Sequence, residues 1–192
     1  MKGRVPILPT LIVLIAAAIM IRLGFWQLDR LHHKEAMLAR FAAAAGQAAE
    51  VSWPGVAAVR ENAMYRRSRL DCRPSGQDMP LSGRNLQGEA GWSHEIACQL
   101  PEGSQAHLVL GWSSDPARRT WAGGTATGII GPRGKDDVRL VADPPLAGLQ
   151  PNARPDPRDI PNNHLSYAVQ WFLFAGVALV IYVLALRKRL RG

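Results

Sequence analysis

Between Leu165 and Leu186 the chain carries 22 residues and no charge, and it then stops at Arg187-Lys188-Arg189. Wound as a helix at 1.5 Å per residue, that run reaches about 33 Å, enough to cross ~30 Å of hydrocarbon. A second apolar run, Val5 to Leu23, lies near the other end. Pro6 and Pro9 fall in its first turns, where a missing backbone N–H costs least. A cleaved signal peptide is the rival reading, because Ala16-Ala17-Ala18 has the small-residue texture of a cleavage site. Apolar character nevertheless continues through Ile19, Met20, Ile21 and Leu23. An anchor is therefore expected, and with it a two-pass membrane protein.

Two spans divide the chain into a short tail (1–4), a first transmembrane helix (5–23), an exported region (24–142), a tether (143–164), a second transmembrane helix (165–186) and a basic tail (187–192). The net charge of +8 points to nucleic acid only until it is located. Seven of the 23 basic residues are Lys2, Arg4, Arg22, Arg187, Lys188, Arg189 and Arg191, at or beside the apolar ends. The remaining 16 lie between residues 24 and 165, against all 15 acidic ones. No basic stripe is left for phosphate, and nucleic acid is rejected as a partner. Basic flanks instead follow the positive-inside rule, which puts both termini in the cytoplasm. The middle then faces the bacterial periplasm or the mitochondrial intermembrane space. No Arg-rich, acid-poor transit peptide precedes the first span, which favours a bacterial inner membrane.

Beyond the first span, Leu28, Leu31, Leu38, Ala42 and Ala45 continue a helical period, which predicts a helical stalk; a helix packed on the domain that follows fits the same pattern. From about Tyr65 to Ala142 the texture changes to short alternating runs broken by Gly, Pro and Ser. Ile96, Cys98 and Leu100 share one face, Pro101-Glu102-Gly103-Ser104 turns, and Ala106, Leu108, Leu110 and Trp112 share another, which predicts a hairpin. Gly123 to Ile130 and Val138 to Ala142 read as further strands, and residues 75–90 as a polar loop. The fold class is thus α+β: two transmembrane helices flanking a small antiparallel β-rich domain, sheet or barrel. Pro144, Pro145, Pro151, Pro155, Pro157 and Pro161 keep the tether extended.

Chemistry-bearing residues concentrate where the second span begins, in Asn162-Asn163-His164-Leu165-Ser166-Tyr167-Ala168-Val169-Gln170-Trp171. Helical spacing brings His164, Tyr167 and Trp171 to one face, with Asn162 and Asn163 as candidate caps. An imidazole at that depth is able to ligate a haem iron; an aromatic interfacial belt with a polar cap fits the same residues. Cys72 and Cys98, the only cysteines, permit one disulfide in an oxidising compartment, and two buried thiols fit as well. His32, His33, His94 and His107 lack the spacing of a metal site and are read as structural. No nucleophile elbow, phosphate loop or paired carboxylates argue for an enzyme, and no intramembrane carboxylate or lysine argues for a transporter.

One terminal motif is Leu23-Gly24-Phe25-Trp26-Gln27-Leu28-Asp29-Arg30, with Lys34 following; the other is Asn162 through Trp171 and Phe172, with Tyr182 and the basic tail. Together the two resemble the Surfeit locus protein 1 family of cytochrome c oxidase assembly factors. Between them, Arg139-Leu140-Val141-Ala142-Asp143 and Ala147-Gly148-Leu149 are similar to the family's approach to its second span. Leu110-Gly111-Trp112 also resembles a family strand, although Ser113-Ser114-Asp115 departs from its usual continuation.

The resemblance implies a non-enzymatic role in maturing an aa3-type haem-copper oxidase, with haem a as transient cargo. The implied partners are the oxidase catalytic subunit, other oxidase assembly or haem a synthesis proteins, and the lipid bilayer. His164 is the expected axial ligand to the haem iron. Tyr167 and Trp171 are expected to line the macrocycle, Trp26 and Gln27 to form the opposing wall, and Arg30 to meet a propionate. A scaffold that holds an immature oxidase subunit without touching haem uses the same residues as helix contacts and anchors.

Overall fold

The structure, a computed structural model, describes residues 5–55, 62–134 and 137–191. The chain forms two compact units: Met1–Met37 with Pro161–Gly192, and Leu38–Ile160.

The first unit is a pair of helices. Helix α1 (Ile7–Ala45) runs 39 residues and α2 (His164–Arg191) 28. At 1.5 Å per residue α1 reaches about 58 Å, so a bilayer accounts for roughly half of it. The residues expected as a stalk continue the same helix, and near its end Phe41 is buried with its ring 5.2 Å from that of Tyr65. The two helices run antiparallel: Thr10 pairs its hydroxyl with that of Tyr182, Phe25 meets Phe172 edge-on at 5.4 Å, and Gln27 reaches His164. Within the pair the buried positions are small, with Ala17, Ala168 and Ala175 each 3% exposed or less. Between two apolar helices in lipid there is no hydrophobic driving force for association, so close packing of small residues has to supply it.

Away from that seam the helices present large apolar side chains outward, with Ile7 82%, Leu8 69% and Ile181 61% exposed. Surface of this kind suits lipid rather than water. Two candidate membrane-spanning helices, one at each end, fit a two-pass membrane protein.

The second unit is β-rich. Its strands are β1 (Val51–Ser52), β2 (Arg67–Pro74), β3 (Met79–Arg84), β4 (Ala90–Gln99), β5 (Gln105–Ser113), β6 (Gly124–Arg133) and β7 (Asp137–Ala142). They pair in the order β1-β2-β6-β7-β5-β4-β3, with an additional β2–β4 pairing. That last pairing closes β2, β6, β7, β5 and β4 into a ring, leaving β1 and β3 as attachments on its seam. The predicted β4–β5 hairpin is present, with Ile96 opposite Leu108 and Cys98 opposite Ala106. Pairing is antiparallel except for β1–β2 and β5–β7, which are parallel.

Alternation puts Leu108, Leu110, Ile130, Leu140 and Cys98 inside, all at 0% exposure. Gly128 on β6 permits the closeness of β6 and β7, since a Cβ there would meet the Val141 carbonyl oxygen at 2.1 Å. Residues 75–90, expected as a polar loop, instead contain β3. It is an edge strand with most of its side chains exposed, so it carries none of the apolar alternation that marks a strand in sequence. The Pro-rich segment packs along the ring: Trp112 and Gln150 exchange backbone hydrogen bonds at 2.8 and 3.0 Å, and Ala153 N–H donates to the Arg84 carbonyl.

Candidate functional site

His164 is the first residue of α2, and the carbonyl of Asn163 before it accepts from the Tyr167 N–H at 3.2 Å. This start follows from the proline-rich approach, which cannot continue a helix backward through Pro161. The imidazole is half-buried and its Nδ1 lies 2.7 Å from Oε1 of Gln27 on α1. Two of the motif residues, 137 positions apart, are thereby joined directly. The other ring nitrogen, Nε2, takes part in none of the described hydrogen bonds.

The remaining candidates are arranged less tightly. Trp26 is 42% exposed, and the guanidinium of Arg30, one turn on, sits over its ring at 5.5 Å. Tyr167 is 50% exposed on an outer side of α2. Trp171 is half-buried and meets Phe174 edge-on at 6.2 Å. The structure thus unites His164 with Gln27, and Trp26 with Arg30, while Tyr167 stands apart from the seam. Asn162 Oδ1, two residues before the imidazole, is buried with no hydrogen-bond partner among the described residues.

The β-rich unit contains two buried polar clusters, built around His94 and around Glu95 with His107; the two histidines were read as structural from sequence, and their carboxylate partners were passed over. His94, at 0% exposure, lies between Asp78 (Nδ1 to Oδ2, 2.6 Å) and Ser113 (Nε2 to Oγ, 2.7 Å). The order resembles a hydrolytic relay, but the Ser113 hydroxyl donates to the Asp115 carbonyl at 2.6 Å and the imidazole has no exposed edge. No substrate reaches that ring, and the cluster instead ties the segment after β5 to the turn before β3. Asp78 Oδ2 also accepts from the backbone N–H of Arg119 at 2.8 Å.

Beside it on β4, Glu95 is also fully buried. Its carboxylate accepts from Arg133 Nε at 2.8 Å and Arg139 Nη1 at 3.1 Å, and His107 Nδ1 lies 3.2 Å away. The hydrogen bond to Glu95 holds the Arg133 guanidinium above its ordinary pKa. Both clusters sit at a β-bulge between His94 and Glu95, where Ser93 through Ile96 are buried in succession. The signal available in sequence was a His-Glu pair interrupting an otherwise apolar strand.

Cys72 and Cys98 form a disulfide, with Cα atoms 5.0 Å apart, which decides between the two readings left open by their sequence context. It joins β2 to β4 beside the two residue pairs, Arg73–Gln99 and Pro74–Cys98, that close the ring. His32 and His33 lie exposed on α1 next to Glu35 and Asp29.

The model of the SURF1 family matches residues 14–176 of the chain. The matched region takes in the first terminal motif, the second as far as Phe172, most of α1, the start of α2 and every strand of the β-rich unit; Tyr182 and the basic tail lie beyond it. No curated protein matches.

Proposed function

The chain belongs to the SURF1 family, which is associated with cytochrome c oxidase assembly, and from that premise we propose that it carries haem a for the oxidase catalytic subunit. In this reading the protein is a two-pass assembly factor of the bacterial inner membrane. Both termini are cytoplasmic and the β-rich unit is periplasmic. The basic tail after α2 supports that orientation, and the Cys72–Cys98 disulfide supports an oxidising compartment for the β-rich unit.

One observation carries the haem reading: the half-buried imidazole of His164 is held from Nδ1 while Nε2 faces no described partner. A ligating histidine has the same requirements, one nitrogen oriented by a neighbour and the other available. A neutral imidazole at His164 would hold haem through its iron. Arg30, with guanidinium N–H groups beyond its stacking on Trp26, suits a propionate. Trp171 and Trp26 offer aromatic surface to the macrocycle, with Tyr167 at its edge. The choice of haem a rests on the family association alone, and the acceptors of cargo are oxidase subunits and the proteins that make or place haem a.

The same hydrogen bond also favours a second reading, in which His164 only ties α1 to α2 and the protein is a scaffold for an immature oxidase subunit. Haem content separates the two. The full chain, purified in detergent from cells that make haem a, is expected to carry haem a by visible spectrum and extraction, and His164→Ala to lose it while remaining folded. Absence of haem from the parent would leave the scaffold reading.

A further inference from the structure

We infer that Gln27 is a positioning residue for His164: its amide oxygen fixes the imidazole as the tautomer whose Nε2 lone pair is free to bind a metal. The inference rests on the haem reading above, yet part of it is measurable without any haem.

An amide oxygen has lone pairs and no proton, so the 2.7 Å contact between Gln27 Oε1 and His164 Nδ1 requires the proton on Nδ1. A neutral imidazole carries a single N–H, and Nε2 is then an acceptor. An unconstrained imidazole in water favours the opposite tautomer, with its proton on Nε2. Gln27 therefore changes which nitrogen is ready to ligate. Because it reaches across from α1 while His164 begins α2, it also fixes the rotation of the ring.

The physical role is that of an outer-shell partner. An N–H that donates to a carbonyl-type oxygen makes the opposite ring nitrogen a better donor to metal, and loss of such a partner typically costs ~10–100-fold in affinity. A carboxylate in its place would draw the N–H proton harder, strengthen the ligand and favour ferric iron.

The test uses the full chain in detergent micelles with ¹⁵N-labelled histidine. Without haem, the His164 ring signals of the parent are expected to report a proton on Nδ1. Gln27→Leu, similar in size and apolar, should move that proton predominantly to Nε2, and Gln27→Glu should keep it on Nδ1. On titration with haem a, Gln27→Leu should bind at least about tenfold more weakly. Gln27→Glu should bind no more weakly than the parent and shift the bound haem's reduction potential downward.

A parent imidazole protonated on Nε2, with the Gln27 amide N–H donating to Nδ1, would overturn the inference. Unchanged haem affinity in Gln27→Leu would do the same. A proton on Nδ1 in a parent that takes up no haem would uphold the hydrogen-bond assignment and sink the haem reading instead. Circular dichroism and micelle size check that the variants fold; if Gln27→Leu does not, Gln27→Met carries the same comparison.

Discussion

Gly24 and Phe172 interlock across the helix pair: a Cβ on residue 24 would lie 2.6 Å from Cε1 of Phe172 and 2.7 Å from its Cζ. No real contact is that short, so any side chain at 24 has to push the ring aside. The ring is itself held edge-on to Phe25. Gly24→Ala is expected to destabilise the pair by about 1–3 kcal/mol, as overpacking does elsewhere. Truncating the obstacle should recover most of that loss, giving a favourable coupling in the double variant Gly24→Ala, Phe172→Leu. Unfolding in detergent measures it. Additive losses in the double variant would show that the ring is not what position 24 has to accommodate.

The disulfide closes a ring that backbone pairing alone closes weakly. Between β2 and β4 only Arg73–Gln99 and Pro74–Cys98 are paired, and Cys72–Cys98 sits beside them. The bond constrains a sequence separation of 26 residues, for which loop-closure entropy predicts about 3.5 kcal/mol of stabilisation. Cys72→Ala with Cys98→Ala should lose roughly that much, and amide exchange should rise first at Arg73 and Gln99. A denaturant midpoint indifferent to reducing agent would contradict this account.

What sequence made legible follows from how local each signal is. The spans, the 94–112 hairpin and the strands near 124 and 138 are marked by runs or alternations within a few residues, and all form. Strand β3 escaped because both faces of Met79–Arg84 are largely solvated, so nothing alternates. The parallel contact between Leu108 and Leu140 joins distant strands and leaves no local trace. The candidate site divides in the same way. His164 and Gln27 were each conspicuous at a membrane boundary, but their hydrogen bond spans 137 residues. Tyr167 was placed with His164 by helical spacing, yet it is 50% exposed, because the buried seam of α2 passes through Ala168 and Ala175 instead.

Tyr65 gives the β-rich unit an alkaline limit. It is buried at 3% exposure, and its ring packs on Phe41 at 5.2 Å. Burial raises its pKa above the ordinary 10.0, and the carboxylates of Asp159 and Asp156 add to the rise. The folded state then keeps a phenol proton that the unfolded chain has already released. Stability is intact below the unfolded value of 10.0 and falls as pH rises through the higher folded one. Tyr65→Phe should flatten that decline. Equal alkaline slopes in parent and variant would assign the loss to other groups.

Glu95 is a buried charge that two arginines share. Its carboxylate is 1% exposed, with Arg133 and Arg139 donating to its two oxygens from side chains 34% and 31% exposed. Glu95→Gln keeps the shape but removes the charge and turns an N–H group toward one of the arginines. Breaking a buried pair from one side typically costs ~3–5 kcal/mol, because the remaining charge is left unpaired. Here both arginines are able to swing their heads toward water, which lowers the expected loss to roughly 2–3 kcal/mol. Glu95→Leu should cost at least as much, since it also strands the nearby His107. Urea unfolding with an unchanged slope is the measurement. A midpoint within error of the parent would mean that the carboxylate contributes no more than its desolvation costs.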